Sequence, residues 1–187
     1  MKTYLLTLLA LAGFALGTAQ AQAASASPYV GVGLGYLIDS EEALITIRAG
    51  MELPSRSLGD LPDRFSHNLE FEFGYVDLGD NRVAYDLTTF FFNYRGEMTG
   101  LGWVPYFGAG LGFANADVGF WSNFIHYSDN DTVFAAQAFA GMKYNFTPAA
   151  SVTLGARYLW VDDVKLLGLS ARDTDDVGLE ASFSFRF

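Results

Sequence analysis

From Tyr29 to Phe187 the chain alternates apolar and polar positions in eight runs. The first run, Tyr29–Ile38, closes at the polar turn Asp39-Ser40-Glu41-Glu42. In the second, Ala43–Leu53, Ile45, Ile47, Ala49 and Met51 share one face, and Thr46, Arg48, Gly50 and Glu52 share the other. The third, His67–Val76, sets Leu69, Phe71, Phe73 and Tyr75 against Glu70, Glu72 and Gly74. The fourth, Val83–Arg95, is less regular: Phe91 falls between Phe90 and Phe92, so it points to the polar face or marks a bulge. The fifth is Val104–Ala114, the sixth Thr132–Phe146, the seventh Ser151–Val161 and the eighth Asp176–Phe187. The stretches between them read as connections: 54–66, Asp77–Asn81, a short turn over 96–102, a long loop from Asp117 to Asp131, the tight turn Thr147–Ala150, and a polar loop from Asp162 to Asp175.

Strict alternation over such runs predicts strands, because successive side chains point to opposite faces. Runs of about ten residues match the ~9–11 that a tilted strand needs to cross a bilayer. An even number of strands returns both ends of the chain to one side, and closure leaves no backbone edge facing lipid. The expected fold is all-β: an eight-stranded antiparallel up-and-down transmembrane barrel with a polar, side-chain-filled interior. A soluble lipocalin-like barrel is the alternative with the same pattern.

One stretch occurs twice. Pro28-Tyr29-Val30-Gly31-Val32-Gly33-Leu34-Gly35-Tyr36 returns as Pro105-Tyr106-Phe107-Gly108-Ala109-Gly110-Leu111-Gly112-Phe113. Glycine on every second residue leaves one face almost bare, as a crowded interior requires. Gly31, Gly33, Gly35, Gly108, Gly110 and Gly112 are therefore expected to point inward and make room for bulky side chains from other strands. Phe107, Leu111 and Phe113 then point outward.

Composition sharpens this. Of the 187 residues, 51% are hydrophobic, 16% aromatic and 17% charged, with mean hydropathy +0.20. Beyond the N-terminal stretch no segment has the ~18 consecutive apolar residues of a membrane helix. That conflict is resolved if strands do the crossing. There is no cysteine, so disulfides and thiolate metal sites are excluded. The net charge of −10 argues against nucleic acid, whose phosphates require clustered cations. At the N-terminus, Lys2, the apolar stretch Tyr4–Gly17 and the small-x-small sites Ala19-Gln20-Ala21 and Ala21-Gln22-Ala23 form a secretory signal. Residues 1–23 are read as cleaved and 24–187 as the barrel domain.

The expected inward positions hold Arg48, Lys143, Arg157 and Arg186 with Glu52, Glu70, Glu72 and Glu180, and Arg95 joins them. An eight-stranded interior has room only for side chains, and buried charges must pair. A salt-bridged plug is expected rather than a channel. Glu70 and Glu72, two apart on one strand, are what any polar face supplies, and no catalytic role is assigned to them. The connections after runs one, three, five and seven carry Asp39, Glu41, Glu42, Asp77, Asp80, Asp117, Asp129, Asp131, Asp162, Asp163, Asp173 and Asp175. None has the ligand spacing of an EF-hand, so neither a metal nor a cofactor is expected. Phe120, Trp121 and Phe124 place large apolar groups in the long loop, either as part of an interfacial aromatic girdle or as a surface for a lipid or partner.

The two glycine-alternating stretches, Leu69–Gly79, Gly141–Tyr158 around Phe146-Thr147-Pro148, and the terminal Phe183-x-Phe185-x-Phe187 give the chain its resemblance to a known family. It resembles the small eight-stranded outer-membrane barrels, the transmembrane domain of outer membrane protein A and its relatives. The resemblance implies an outer-membrane location in a diderm bacterium and periplasmic termini. It also implies that periplasmic chaperones and the barrel-assembly machinery handle the chain, with Phe183, Phe185 and Phe187 as the assembly signal. The other partners expected are outer-membrane lipid and lipopolysaccharide-type head groups, on a monomer. The chain ends at Phe187, so the relatives' peptidoglycan-binding role is not carried over. The implied function is structural and non-enzymatic: membrane integrity, surface interaction, or both. A narrow conduit for small solutes or apolar ligands is one alternative. The other is a lipid A-modifying enzyme, because His126-Tyr127-Ser128 resembles the His-x-Ser of the outer-membrane lipid A deacylases. Here Asp129 stands where that family has Asn, and no Glu lies between Glu97 and Glu180.

Overall fold

The structure is a computed structural model that describes residues 27–53, 65–77, 83–100, 102–122, 125–166, 169–171 and 174–187, with the side chains of 83–85, 118–128, 164–166, 169–171 and 174 outside the description. The strands are β1 (Ser27–Leu37), β2 (Glu42–Leu53), β3 (Phe65–Asp77), β4 (Val83–Met98), β5 (Gly102–Ser122), β6 (Ile125–Asn145), β7 (Ala150–Val161), β8 (Val164–Leu166), β9 (Leu169–Ala171) and β10 (Thr174–Arg186). Eight of them close a barrel in the order β1-β10-β7-β6-β5-β4-β3-β2, every neighbour antiparallel, while β8 and β9 form a separate short hairpin.

The pairing register fixes the barrel's shape. Directly opposed residues run from Tyr29 through Gly50, Glu70, Asn93, Gly110, Gln137 and Leu159 to Asp176. On the closing seam, however, Tyr29 faces Arg186, so one circuit advances ten residues along the strand. A stagger of that size over eight strands tilts them roughly 40° from the axis. About ten residues per strand at that tilt give an apolar belt about 25 Å tall, the height of a membrane barrel's lipid face.

The belt is made of the residues that alternation assigns to it. Phe107, Leu111 and Phe113 are exposed, whereas Gly31, Gly33 and Gly110 are buried. Aromatic side chains meet across strands on this outer face. Phe71 lies opposite Phe92 and Phe73 opposite Phe90, each pair edge-to-face with ring centroids 5.2 Å apart. Such cross-strand pairs stabilise a sheet and hold its register. At the end carrying both termini, Trp103 meets Tyr144 at a tilt and Tyr144 meets Phe146 edge-to-face, as in an aromatic girdle.

β4 pairs with β3 without interruption from Phe65↔Met98 to Asp77↔Asp86; of the two alternatives for Phe91, the inward one holds and there is no bulge. Three other expectations change. The same continuity carries Glu97, expected in a turn, onto the inner face. The long loop from Asp117 to Asp131 is mostly strand: β5 and β6 stay paired out to Ser122↔Ile125, and β4 follows to Val83↔Phe120. Ladder hydrogen bonds need no apolar side chains, so a hairpin rising above the belt keeps its strands where its outward positions turn polar. Likewise the polar connection after β7 contains the β8–β9 hairpin.

The interior has two layers. At the end opposite the termini, Leu37, Leu44, Val76, Leu87, Phe91, Ala114, Ala116, Ala135, Leu159 and Val161 form one buried apolar cluster. The expectation of a polar interior holds only beneath it. Above the cluster the β1–β2 turn is pinned by β10, the neighbouring strand. The buried Asp176 carboxylate accepts the backbone N–H of Asp39 and of Ser40, both at 3.0 Å, and the Ser40 hydroxyl at 2.6 Å. Those bonds help hold Glu41 in a left-handed conformation, φ 60°, which non-glycine residues seldom adopt.

Candidate functional site

Beneath the apolar layer, strand parity points Thr46 and Arg48, Glu70 and Glu72, Asn93 and Arg95, Gln137, Thr153 and Arg157, and Glu180 and Ser182 towards the axis. At its centre two arginines and two glutamates form a ring. Glu72 accepts from Arg48 Nε at 2.7 Å and from Arg157 Nη1 at 2.6 Å. Glu180 bridges the same two guanidiniums from the other side. Gln137 ties the ring to β4: its Nε2 donates to Glu72 at 3.2 Å and to Asn93 Oδ1 at 2.8 Å, while its Oε1 accepts from Arg157 at 2.8 Å.

A second group lies nearer the termini. Glu97 is shared by Arg95 Nε at 2.7 Å and Lys143 Nζ at 2.6 Å. Glu70 takes the Tyr29 hydroxyl at 2.6 Å and faces Arg95 at 3.4 Å. The Arg95 guanidinium lies over the Tyr106 ring, 4.1 Å from its centroid, a stabilising cation–π contact. Arg186 and Glu52 pair at the mouth, partly exposed. The inner surface thus joins all of Arg48, Glu52, Glu70, Glu72, Lys143, Arg157, Glu180 and Arg186 into local pairs, with the Arg186–Glu52 pair set apart from the buried groups. In low dielectric such pairs survive only with every partner in place.

Sequence reasoning left three members out. Tyr29 and Tyr106 each stand two residues before the first glycine of the repeat, so parity places them inside; their aromatic character concealed it. Glu97 was hidden by Gly96 and Gly100, which imitate a turn. The glycines have a packing role at this level. A Cβ on Gly110 would overlap the Asn93 side chain, and one on Gly108 the Phe139 ring. Gly110→Ala is expected to push Asn93 away from Gln137 and cost about 1–3 kcal/mol. Urea unfolding of the protein refolded in lipid vesicles measures this, with Ala109→Gly on the outer face as the reference.

Among the described residues no three His, Cys, Asp or Glu side chains gather to hold a metal. His126 and Ser128 lie two apart on β6, opposite Trp121 and Gly119, near the hairpin tip. Their side chains fall outside the described residues, as do those of Phe120 and Trp121 and all of Phe124. The C-terminal strand turns Phe183, Phe185 and Phe187 outward, and the Phe187 N–H donates to Pro28 O at 3.0 Å, extending the closing seam.

The model of the outer membrane protein beta-barrel domain matches residues 6–187. The chain belongs to this family. It is therefore a barrel of the bacterial outer membrane. Among solved structures, Neisserial surface protein A is similar at 13% identity and TM-score 0.55, over 87% of this chain and 96% of that one. Ail, the attachment invasion locus protein of Yersinia pestis, is similar at 12% identity and TM-score 0.53, over 87% and 97%. A major outer membrane protein of Thermus thermophilus matches at 12% and 0.53, over 87% and 100%. At these identities the likeness is one of fold. A comparison with curated protein sequences gave no match.

Proposed function

We propose that the protein is a non-enzymatic, monomeric scaffold of the outer membrane that presents acidic surface loops and conducts no solute. The carrying observation is the filled interior, in which a paired ionic layer lies beneath an apolar layer that spans the barrel. Residues 1–23 would be removed on export, and Phe183, Phe185 and Phe187 would present the chain to the assembly machinery. With the termini in the periplasm, the β5–β6 hairpin and its acids face outside, and the belt meets lipid with lipopolysaccharide-type head groups at its rim. Ail has been solved with the heparin analogue sucrose octasulfate. The rim here, with Asp39, Glu41, Glu42, Asp117, Asp162 and Asp175, has the wrong sign for such a polyanion.

The test is complementation. Cells lacking the protein should admit a large hydrophobic dye more readily. Wild type and Ser128→Ala should restore the barrier equally, with the mass of lipid A unchanged in both. Restoration by wild type alone, together with a change in lipid A mass, would replace the scaffold reading with the enzymatic one.

A further inference from the structure

At the terminal end, beneath the ionic layer, lies a cavity of about 210 Å³. That is smaller than the ~300–1,000 Å³ of sites for drug-sized ligands and has room for about seven waters. Its walls combine both signs of charge with hydroxyls. Arg95, Lys143 and Arg186 line it with Glu97 and Glu52, and so do Ser151 and Ser184, whose hydroxyls lie 2.8 Å apart. Lys143 is 8% exposed and carries three N–H donors, of which the Glu97 carboxylate takes one. Among the described residues, two donors remain available on this buried ammonium at the cavity wall. The Arg186–Glu52 pair, with side chains 27% and 28% exposed, stands at the entrance. The apolar cluster at the far end of the barrel separates this cavity from the opposite side.

We infer that this cavity is a binding site for a small zwitterion of the amino-acid or dipeptide class, entered from the terminal end. The ligand's carboxylate takes the spare donors of Lys143 and approaches Arg186. Its ammonium is received by Glu52, and the serine hydroxyls accept or donate to the peptide group. The two carboxylates in the wall, Glu52 and Glu97, select against polyanions, which would face like charge there. On the orientation proposed above, the ligand comes from the periplasm; the binding itself does not depend on that orientation or on the scaffold reading.

The absence of cysteine makes a direct test possible. Ser184→Cys, refolded in detergent, is modified with a charged methanethiosulfonate in the presence of L-alanyl-L-alanine. At about ten times its dissociation constant the dipeptide should slow modification about tenfold. Acetate and methylammonium, each carrying half of the charge pattern, should protect far less. Adding Lys143→Met, or Arg186→Gln at the exposed entrance where the fold is least at risk, should remove the protection, with folding checked by heat-modifiable gel mobility. An unchanged rate with millimolar dipeptide, equal protection by acetate alone, or protection that survives in a folded Arg186→Gln or Lys143→Met protein would overturn the proposal.

Discussion

Glu72→Ala is expected to destabilise the barrel by about 3–5 kcal/mol, the cost of leaving buried charge without its partner. Glu72 is 3% exposed and bonds both Arg48 and Arg157. Its removal leaves Glu180 as the one carboxylate between two guanidiniums, in a layer that water enters poorly. Glu52→Gln supplies the contrast. That pair is partly exposed, and its loss should cost about 0–1 kcal/mol. Both are read from urea unfolding in lipid vesicles, followed by tryptophan fluorescence. Equal effects for the two variants would mean that the central ring is hydrated like the mouth, and the packed ionic layer would have to be abandoned.

The second large effect lies in the layer above. Phe91→Ala should cost about 3–5 kcal/mol, because it removes a ring buried among the leucines and valines of the apolar cluster and leaves a cavity. Phe92, its neighbour, faces outward and is 47% exposed. Phe92→Ala trades contact with lipid and with Phe71 for lipid alone and should cost much less. Measured side by side, the two variants check the parity of β4, where alternation in the sequence was least regular. A larger loss for Phe92→Ala would place the strand one residue out of register.

These two residues also mark what can and cannot be read from the chain. Arg48, Glu72, Arg157 and Glu180 stand on the polar side of clean alternation, so their convergence followed once the strands closed into a barrel. Phe91, Leu44, Leu87 and Leu159 stand on that same side, but as apolar residues they break the expected pattern and look like noise. Only closure shows that they meet one another at one level of the axis. Which interior level a residue occupies depends on the stagger of ten residues, and that stagger is a property of eight registers together rather than of any one run. The β5–β6 hairpin was missed for another reason. Above the belt the outer face meets water, so the polar Asn115, Asp117, Asn130 and Thr132 take the outward positions that Phe113 and Phe134 hold lower down, while Ala114 and Ala116 face inward; the outer face no longer reads as apolar, although the backbone ladder continues.

The barrel's closure along its axis is the claim on which the rest depends. Its most direct test is the current through the refolded full-length chain in planar lipid bilayers at neutral pH. The two layers lead to no unitary conductance steps above the bare membrane, at either polarity of voltage. Reproducible steps from folded, heat-modifiable protein, absent from a preparation without it, would mean that ions pass Phe91 and the Arg48–Glu72–Arg157–Glu180 ring, and that the interior is a channel.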